Sequence, residues 1–189
     1  AGVEAASGHT VGYARTGRLQ PLADNAAVAL AQHRDASART LWGEAAKWRV
    51  VRATGAAWEP ASSTGFLVHD TLTARIHPRR ATLALAAAVV ALGGEVVTDG
   101  PREGRIVHAT GWRGLVGLSS AMGRSVGAGI KGQAALLRYD AADLPQLFAG
   151  ALHIVPHDDG TVAIGSTTER EFDAPDTTDD QLDDIVARA

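Results

Sequence analysis

The sequence predicts an α+β fold, a mixed or antiparallel sheet with flanking helices, accompanied by a smaller α/β-like unit. Three observations carry this. Leu152–Pro156 and Thr161–Gly165 are β-rich runs on either side of His157-Asp158-Asp159-Gly160, and an Asp-Gly turn between such runs signals a hairpin. Trp48–Arg52 and Phe66–Asp70 read as further short strands bounded by turn residues. Residues 25–42, 78–92 and 178–188 have helical periodicity with start or stop signals at their ends.

The elements follow in chain order. Residues 1–20 are Gly-rich and read as irregular, with a short strand near Arg18-Leu19-Gln20. Asp24 is an N-cap, and Ala27, Leu30, Ala31, Ala38, Leu41 and Trp42 fall on one face of the helix that follows. Residues 55–65 form a loop. Pro78 suits the first helical position, and Gly93-Gly94 ends the helix it opens. Glu95 to Thr98 and Arg105 to Ala109 read as strands. A helix between successive strands suggests a βαβ-like crossover. Part of 126–138 is a strand, followed by a Pro-containing loop. Thr178-Asp179-Asp180-Gln181 is a capping box, and Leu182, Ile185 and Val186 of its helix point inward. The six aspartates between 173 and 184 are a solvated, dipole-matched helix start. The expected division is 1–70, 71–112 and 113–189, with the βαβ-like unit in the middle.

Composition narrows the function classes. The 189 residues are 46% apolar and 21% charged, ordinary for a globular chain able to bury a core. A net charge of −3 offers no electrostatic footprint for nucleic acid or an anionic membrane. With no cysteine, disulfides, thiolate catalysis and Cys-ligated metals are excluded, and a reducing cytoplasm is the expected compartment. Arg79-Arg80 and the Ala/Leu/Val run after it imitate a twin-arginine signal. The run lies mid-chain and is shorter than the roughly 20 apolar residues a span needs, so a buried amphipathic helix is the better reading.

Chemistry-bearing patterns are few. Gly127-Ala128-Gly129-Ile130-Lys131-Gly132 matches GxGxxG, but its strand is minimal, no helix signal follows, and no acidic residue stands about 20 positions on. It reads as a Gly-rich entry to a strand, and a nicotinamide-dependent enzyme would require a helix opening at Gly132. His153 and His157 would share a strand face about 13 Å apart at ~3.3 Å per residue, too far for joint metal ligation. The remaining histidines show no ligand spacing, and no metal or catalytic pair is expected. Ala109-Thr110-Gly111-Trp112 closes a strand-like run with small residues, where backbone can approach a nucleotide. Arg75, Arg79 and Arg80 can bind an acid or simply line a helix start.

Four segments, in order over residues 66–172, resemble the D-amino-acid oxidase, glycine oxidase and sarcosine oxidase superfamily of FAD enzymes. His77-Pro78-Arg79, the helix and Gly93-Gly94 resemble its Pro-Arg, helix, Gly-Gly unit. Ala109-Thr110-Gly111-Trp112 resembles its ATG-x-W element, and Ile130-Lys131-Gly132-Gln133 its V-K-G-Q/E strand. His153 through Glu169 resembles its Y-I-V-P-R-x-D-G hairpin and the G-A-T-x-E that follows. The resemblance implies a substrate-binding domain with a remnant of the α/β FAD domain. It also implies FAD in the intact protein, a small amino-acid or amine substrate, and hydride transfer from an amine-bearing carbon to flavin N5. Thr110, Gly111 and Trp112 become candidate FAD contacts. His153 stands where the hairpin often places a substrate-facing tyrosine, and it can donate to a carboxylate. The family's opening GxGxxG unit and closing Gly-Leu-Arg-Pro segment have no counterpart here, so the chain reads as an inactive piece of a larger enzyme. A non-catalytic ligand-binding or interaction domain is the alternative.

Overall fold

The computed structural model describes residues 2–101 and 103–189. In chain order these form α1 (Gly2–Ser7), β1 (Arg18–Pro21), α2 (Asn25–Trp42), β2 (Trp48–Arg52), β3 (Phe66–Asp70), α3 (Pro78–Ala91), α4 (Gly111–Met122), β4 (Ala134–Arg138), β5 (Gln146–Ala149), β6 (Leu152–Pro156), β7 (Thr161–Gly165) and α5 (Asp180–Arg188). The strands make one seven-stranded mixed sheet, ordered β2-β3-β1-β5-β6-β7-β4. Every pairing is antiparallel except β1 with β5, where Arg18 meets Gln146 and Leu19 meets Leu147. This parallel seam joins strands from the two halves of the chain.

Helices cover the sheet from opposite sides at opposite ends. Helix α2 starts at the Asp24 cap, whose carboxylate accepts from Ala27 N at 2.7 Å. It lays Ala27, Val28 and Ala31 on Val50, Phe66 and Val68. Helix α5 presses Ile185 into Leu152, Val162 and Ile164. Side chains alternate across a strand, so the Val68 face and the Ile164 face are the two sides of the sheet. A cavity of about 760 Å³ opens on the α5 side, lined by Trp58, Leu147, Leu152, Ile154 and Val162 among others.

Several expectations are corrected. Residues 1–20 contain helix α1, which packs on α3. The 111–122 stretch is helix α4, and the Pro-containing loop holds β5. Neither Glu95–Thr98 nor Arg105–Ala109 forms a strand, so the βαβ-like unit is present as its helix alone. Val96, Val97, Ile106 and Val107 are exposed there, and β-propensity without a neighbouring strand leaves backbone groups to water. Helix α2 buries its alanines, whereas Leu30 and Leu41 are exposed. Helix α3 buries only Ala84 and Ala88 and exposes Leu83, Leu85, Val89 and Val90. Val186 of α5 is exposed too, and its N-cap is Asp179, which accepts from Gln181 N at 3.1 Å, one residue beyond Thr178. None of the described helices is long and apolar enough to cross a membrane.

Candidate functional site

His153 lies on β6, whose alternation sends Leu152 and Ile154 into the α5 core and His153 to the other face. Register then builds a row across four strands: Phe148 opposite His153, His153 opposite Gly165, and Gly165 opposite Ala134. The Phe148 and His153 rings lie 4.5 Å apart, tilted by 32°. Beside them the row carries only a hydrogen and a methyl group. Helix α2 covers this face only at its β2–β3 end, leaving His153 and Ala134 exposed. The result is an open shelf, with an aromatic pair at one side and nearly bare backbone at the other. It is on the opposite side of the sheet from the 760 Å³ cavity.

Thr110, Gly111 and Trp112 stand together at the start of α4, all exposed. Gly111 has φ +65, a region L side chains rarely adopt, and nothing lies within 4 Å of the position its Cβ would take. Trp112 leans edge-on against Phe172 at 5.9 Å, and the Arg113 guanidinium sits over it at 5.3 Å. No hydrogen bond or ring contact joins these residues to His153 among those described. The GxGxxG match runs without regular structure into the Lys131 bridge and then β4. No helix opens at Gly132, so the nicotinamide reading is removed.

Lys131 acquires a structural part. It is buried, with Nζ 3.1 Å from Asp179 and 3.3 Å from Glu169. Gln133 donates to Glu169 at 2.9 Å and to Asp179 at 2.8 Å, while Asp179 N donates back to its Oε1 at 2.9 Å. The network fastens the cap of α5 to the strand entry. Hydrogen bonds from Gln133 and then Lys131 hold the Asp179 carboxyl down at about 2. The Thr167 hydroxyl, then Gln133, lower Glu169.

His157 shares no face with His153. The chain turns after Pro156, and His157 is buried with its ring 4.7 Å from His77, whose Nε2 is 3.3 Å from Asp159. Nδ1 of both imidazoles is buried without a hydrogen-bond partner among the described residues. Arg80 reaches the same turn, at 3.0 Å from Asp158 and 3.5 Å from Asp159. Burial first, and the neighbouring His77 second, push the His157 pKa below its ordinary 6.5. The unfolded chain therefore takes up this proton first. Stability from His157 is complete above about pH 6.5 and is lost as pH falls through the lower folded value. Urea midpoints measured from pH 8 to pH 5 are expected to fall for the wild type and to stay flat for His157→Phe. Equal slopes would sink this assignment.

Comparison places the fold. Glycine oxidase from Geobacillus kaustophilus superposes with a TM-score of 0.73 at 18% identity, covering 98% of this chain and 56% of that one. Iminodiacetate oxidase from Chelativorans sp. BNC1 gives 0.69 at 18% identity, covering 94% and 55%. L-proline dehydrogenase from P. horikoshii gives 0.67 at 14%, covering 98% and 57%. The chain thus spans little more than half the length of these structures. No curated protein sequence matches it significantly. A family model described as FAD dependent oxidoreductase matches residues 1–189. With the mixed sheet and its flanking helices, that match over the full sequence establishes that the chain belongs to the FAD dependent oxidoreductase family.

Proposed function

We propose that the protein is an FAD-dependent amine or amino-acid oxidoreductase whose substrate lies on the open shelf beside His153. The observation that carries the reading is the row Phe148, His153, Gly165, Ala134, a flat face with one hydrogen-bonding ring and space above backbone. Such a face suits a planar ring system stacked with a small polar substrate. FAD, when bound, supplies the hydride acceptor at N5 for the amine-bearing carbon. The chain's own part is to bind and orient. His153 donates to the substrate carboxylate, Phe148 walls the shelf, and the Gly165 strip admits close approach. Thr110, Gly111 and Trp112 are proposed FAD contacts, since Gly111 leaves open space at an exposed turn.

Residues 1–70 and 113–189 are proposed as substrate domain and 71–112 as part of the FAD domain. The sheet supports this, because it draws strands only from the two flanking stretches. With the shelf open to water, the 189 residues alone are expected to be inactive. The test is the purified whole protein, which should show flavin absorbance that bleaches anaerobically when an amino acid is added. His153→Phe should raise KM about tenfold or more, the loss of one charged hydrogen bond, with flavin content unchanged. A protein that purifies without flavin, or a variant with wild-type KM, would overturn the respective part.

A further inference from the structure

Helices α1 and α3 form a lobe that meets the sheet at few points. Helix α3 packs on α1 and on no strand to a similar extent. The lobe is carried by a two-stranded ribbon, in which residues 11–17 run antiparallel to 71–77 beyond the ends of β1 and β3. Ala14 and Arg75 exchange backbone hydrogen bonds at 2.9 and 3.2 Å, His77 N donates to Val11 O, and Gly17 N to Thr73 O. Two strands alone are marginal as β structure, so the ribbon can bend. Beyond the ribbon, the hydrogen bonds and ion pairs described between lobe and sheet all go to the β6–β7 turn. Arg80 of α3 reaches Asp158 and Asp159, and His77, the N-cap of α3, reaches Asp159. Gly12 presses on the same turn: a Cβ there would lie 2.9 Å from Asp158 Oδ1 and 3.1 Å from His77 Cβ.

His157 sits inside this contact. Arg75 donates from Nη1 to Pro156 O at 2.8 Å, which fixes a guanidinium close to the imidazole. Arg75 Nε, His77 Nδ1 and His157 Nδ1 are all buried without a hydrogen-bond partner among the described residues. Polar groups left unpaired in this way weigh against the closed arrangement. A proton on His157 would add a second buried cation beside Arg75, and like charges at close range repel strongly away from water. The acids able to neutralise it, Asp158 and Asp159, already hold Arg80 and His77. Glu4 of α1 is taken by Val11 N and the Thr10 hydroxyl. Protonation therefore either expels the imidazole or draws a carboxylate away from the lobe, and both undo the contact.

We propose that the β6–β7 turn is a proton-operated latch on the α1–α3 lobe, closed while His157 is uncharged and released when it takes up a proton. Strand β6 also carries His153, so the latch sets where the open shelf stands relative to the lobe. The inference concerns this joint and does not depend on what the shelf binds. Burial lowers the His157 pKa, so release falls below its ordinary 6.5. The chain has no cysteine, so a labelled pair can be introduced cleanly. Leu85→Cys on α3 and Arg138→Cys on β4 are exposed positions outside the latch. Spin labels there report the lobe-to-sheet distance in the whole protein by double electron–electron resonance. The measurement runs from about pH 8 downward, with the His157 imidazole followed by NMR. A longer-distance population should grow from under about 10% to a majority, with the midpoint of the His157 titration. His157→Phe should stay closed over the same range, and Asp158→Asn/Asp159→Asn should be open from the start. If His157→Phe does not fold, His157→Gln makes the same comparison. The inference is overturned if His157 takes up its proton with the distance unchanged, or if the protein unfolds before it opens. It is overturned equally if the variant without an imidazole opens as the wild type does, or if the double variant remains closed.

Discussion

Asp70→Ala is expected to lower the free energy of unfolding by about 3 kcal/mol. The carboxylate ends β3, is 1% exposed, and accepts from Arg18 Nε and Thr73 N. A hydrogen bond to a charged group contributes about 1.5–3 kcal/mol, and stranding one member of a partly buried ion pair adds to the loss. Because Arg18 keeps some water, the cost stays below the upper end known for fully buried pairs. For a chain of this size, that is a fall in Tm of about 6–12 °C. Thermal and urea unfolding check it. A loss below about 1 kcal/mol would mean that Asp70 is not the anchor described, and the orientation of Arg18 would need another cause.

Gly17→Ala is expected to be at least as damaging, for a backbone reason. Gly17 has φ +78, and a Cβ there would clash with the carbonyl oxygen of Asp70. Real Cβ atoms essentially never come that close to backbone, so one strand must move. Gly17 N donates to Thr73 O at 3.0 Å, and Gly17 O accepts from Gln146 N at 2.9 Å. The residue therefore ties the start of β1 to the turn after β3 and to β5, and any shift breaks one of these links. The left-handed conformation alone costs about 1–2 kcal/mol in an alanine. Adding a strained or lost hydrogen bond gives about 3 kcal/mol or more. Circular dichroism melts with the Gly17→Ser variant in parallel would check this, since both side chains meet the same clash. A melt within 2 °C of wild type would refute the close approach.

Much of the fold could be read from sequence where local signals and tertiary demand agree. The Asp24 cap, Pro78 at a helix start, and the hairpin closed by Asp159-Gly160 are of that kind. Reading stopped where partners are distant. Helix α4 has Gly114 and Gly117 in its interior, each unfavourable by about 1 kcal/mol, and local propensity argues against it. Strand β5 is four residues between Pro145 and Gly150, and it exists because β1 and β6 lie ready on both sides. Residues 95–98 and 105–109 have strand composition and no neighbour. Helix periodicity also could not choose between faces. In α2 the small residues are buried because alanines allow the helix to come close to the sheet.

The site divides along the same line. His153 was reachable through its hairpin and the resemblance that the hairpin carries. The contact of His77 and Arg80 with the β6–β7 turn was not, because nothing local to the start of α3 points to a hairpin in the other half of the chain. Lys131 was visible as part of a motif, but its partners Glu169 and Asp179 come together only through the approach of α5. His157 shows the opposite failure. Regular alternation put it on the strand face of His153, about 13 Å along, and the turn after Pro156 buried it instead.

The seam between β1 and β5 also governs the order in which the molecule can be assembled. Helix α2 and strands β1 to β3 are close in sequence and can pair early, whereas Arg18 waits for Gln146. At ribosomal rates of about 5–20 residues per second, that wait is on the order of ten seconds. Through that interval β1 presents an unpaired edge, the kind of surface that recruits other nascent chains. Such long-range closure slows folding, and slower synthesis or lower temperature would lengthen the exposure as well as the search.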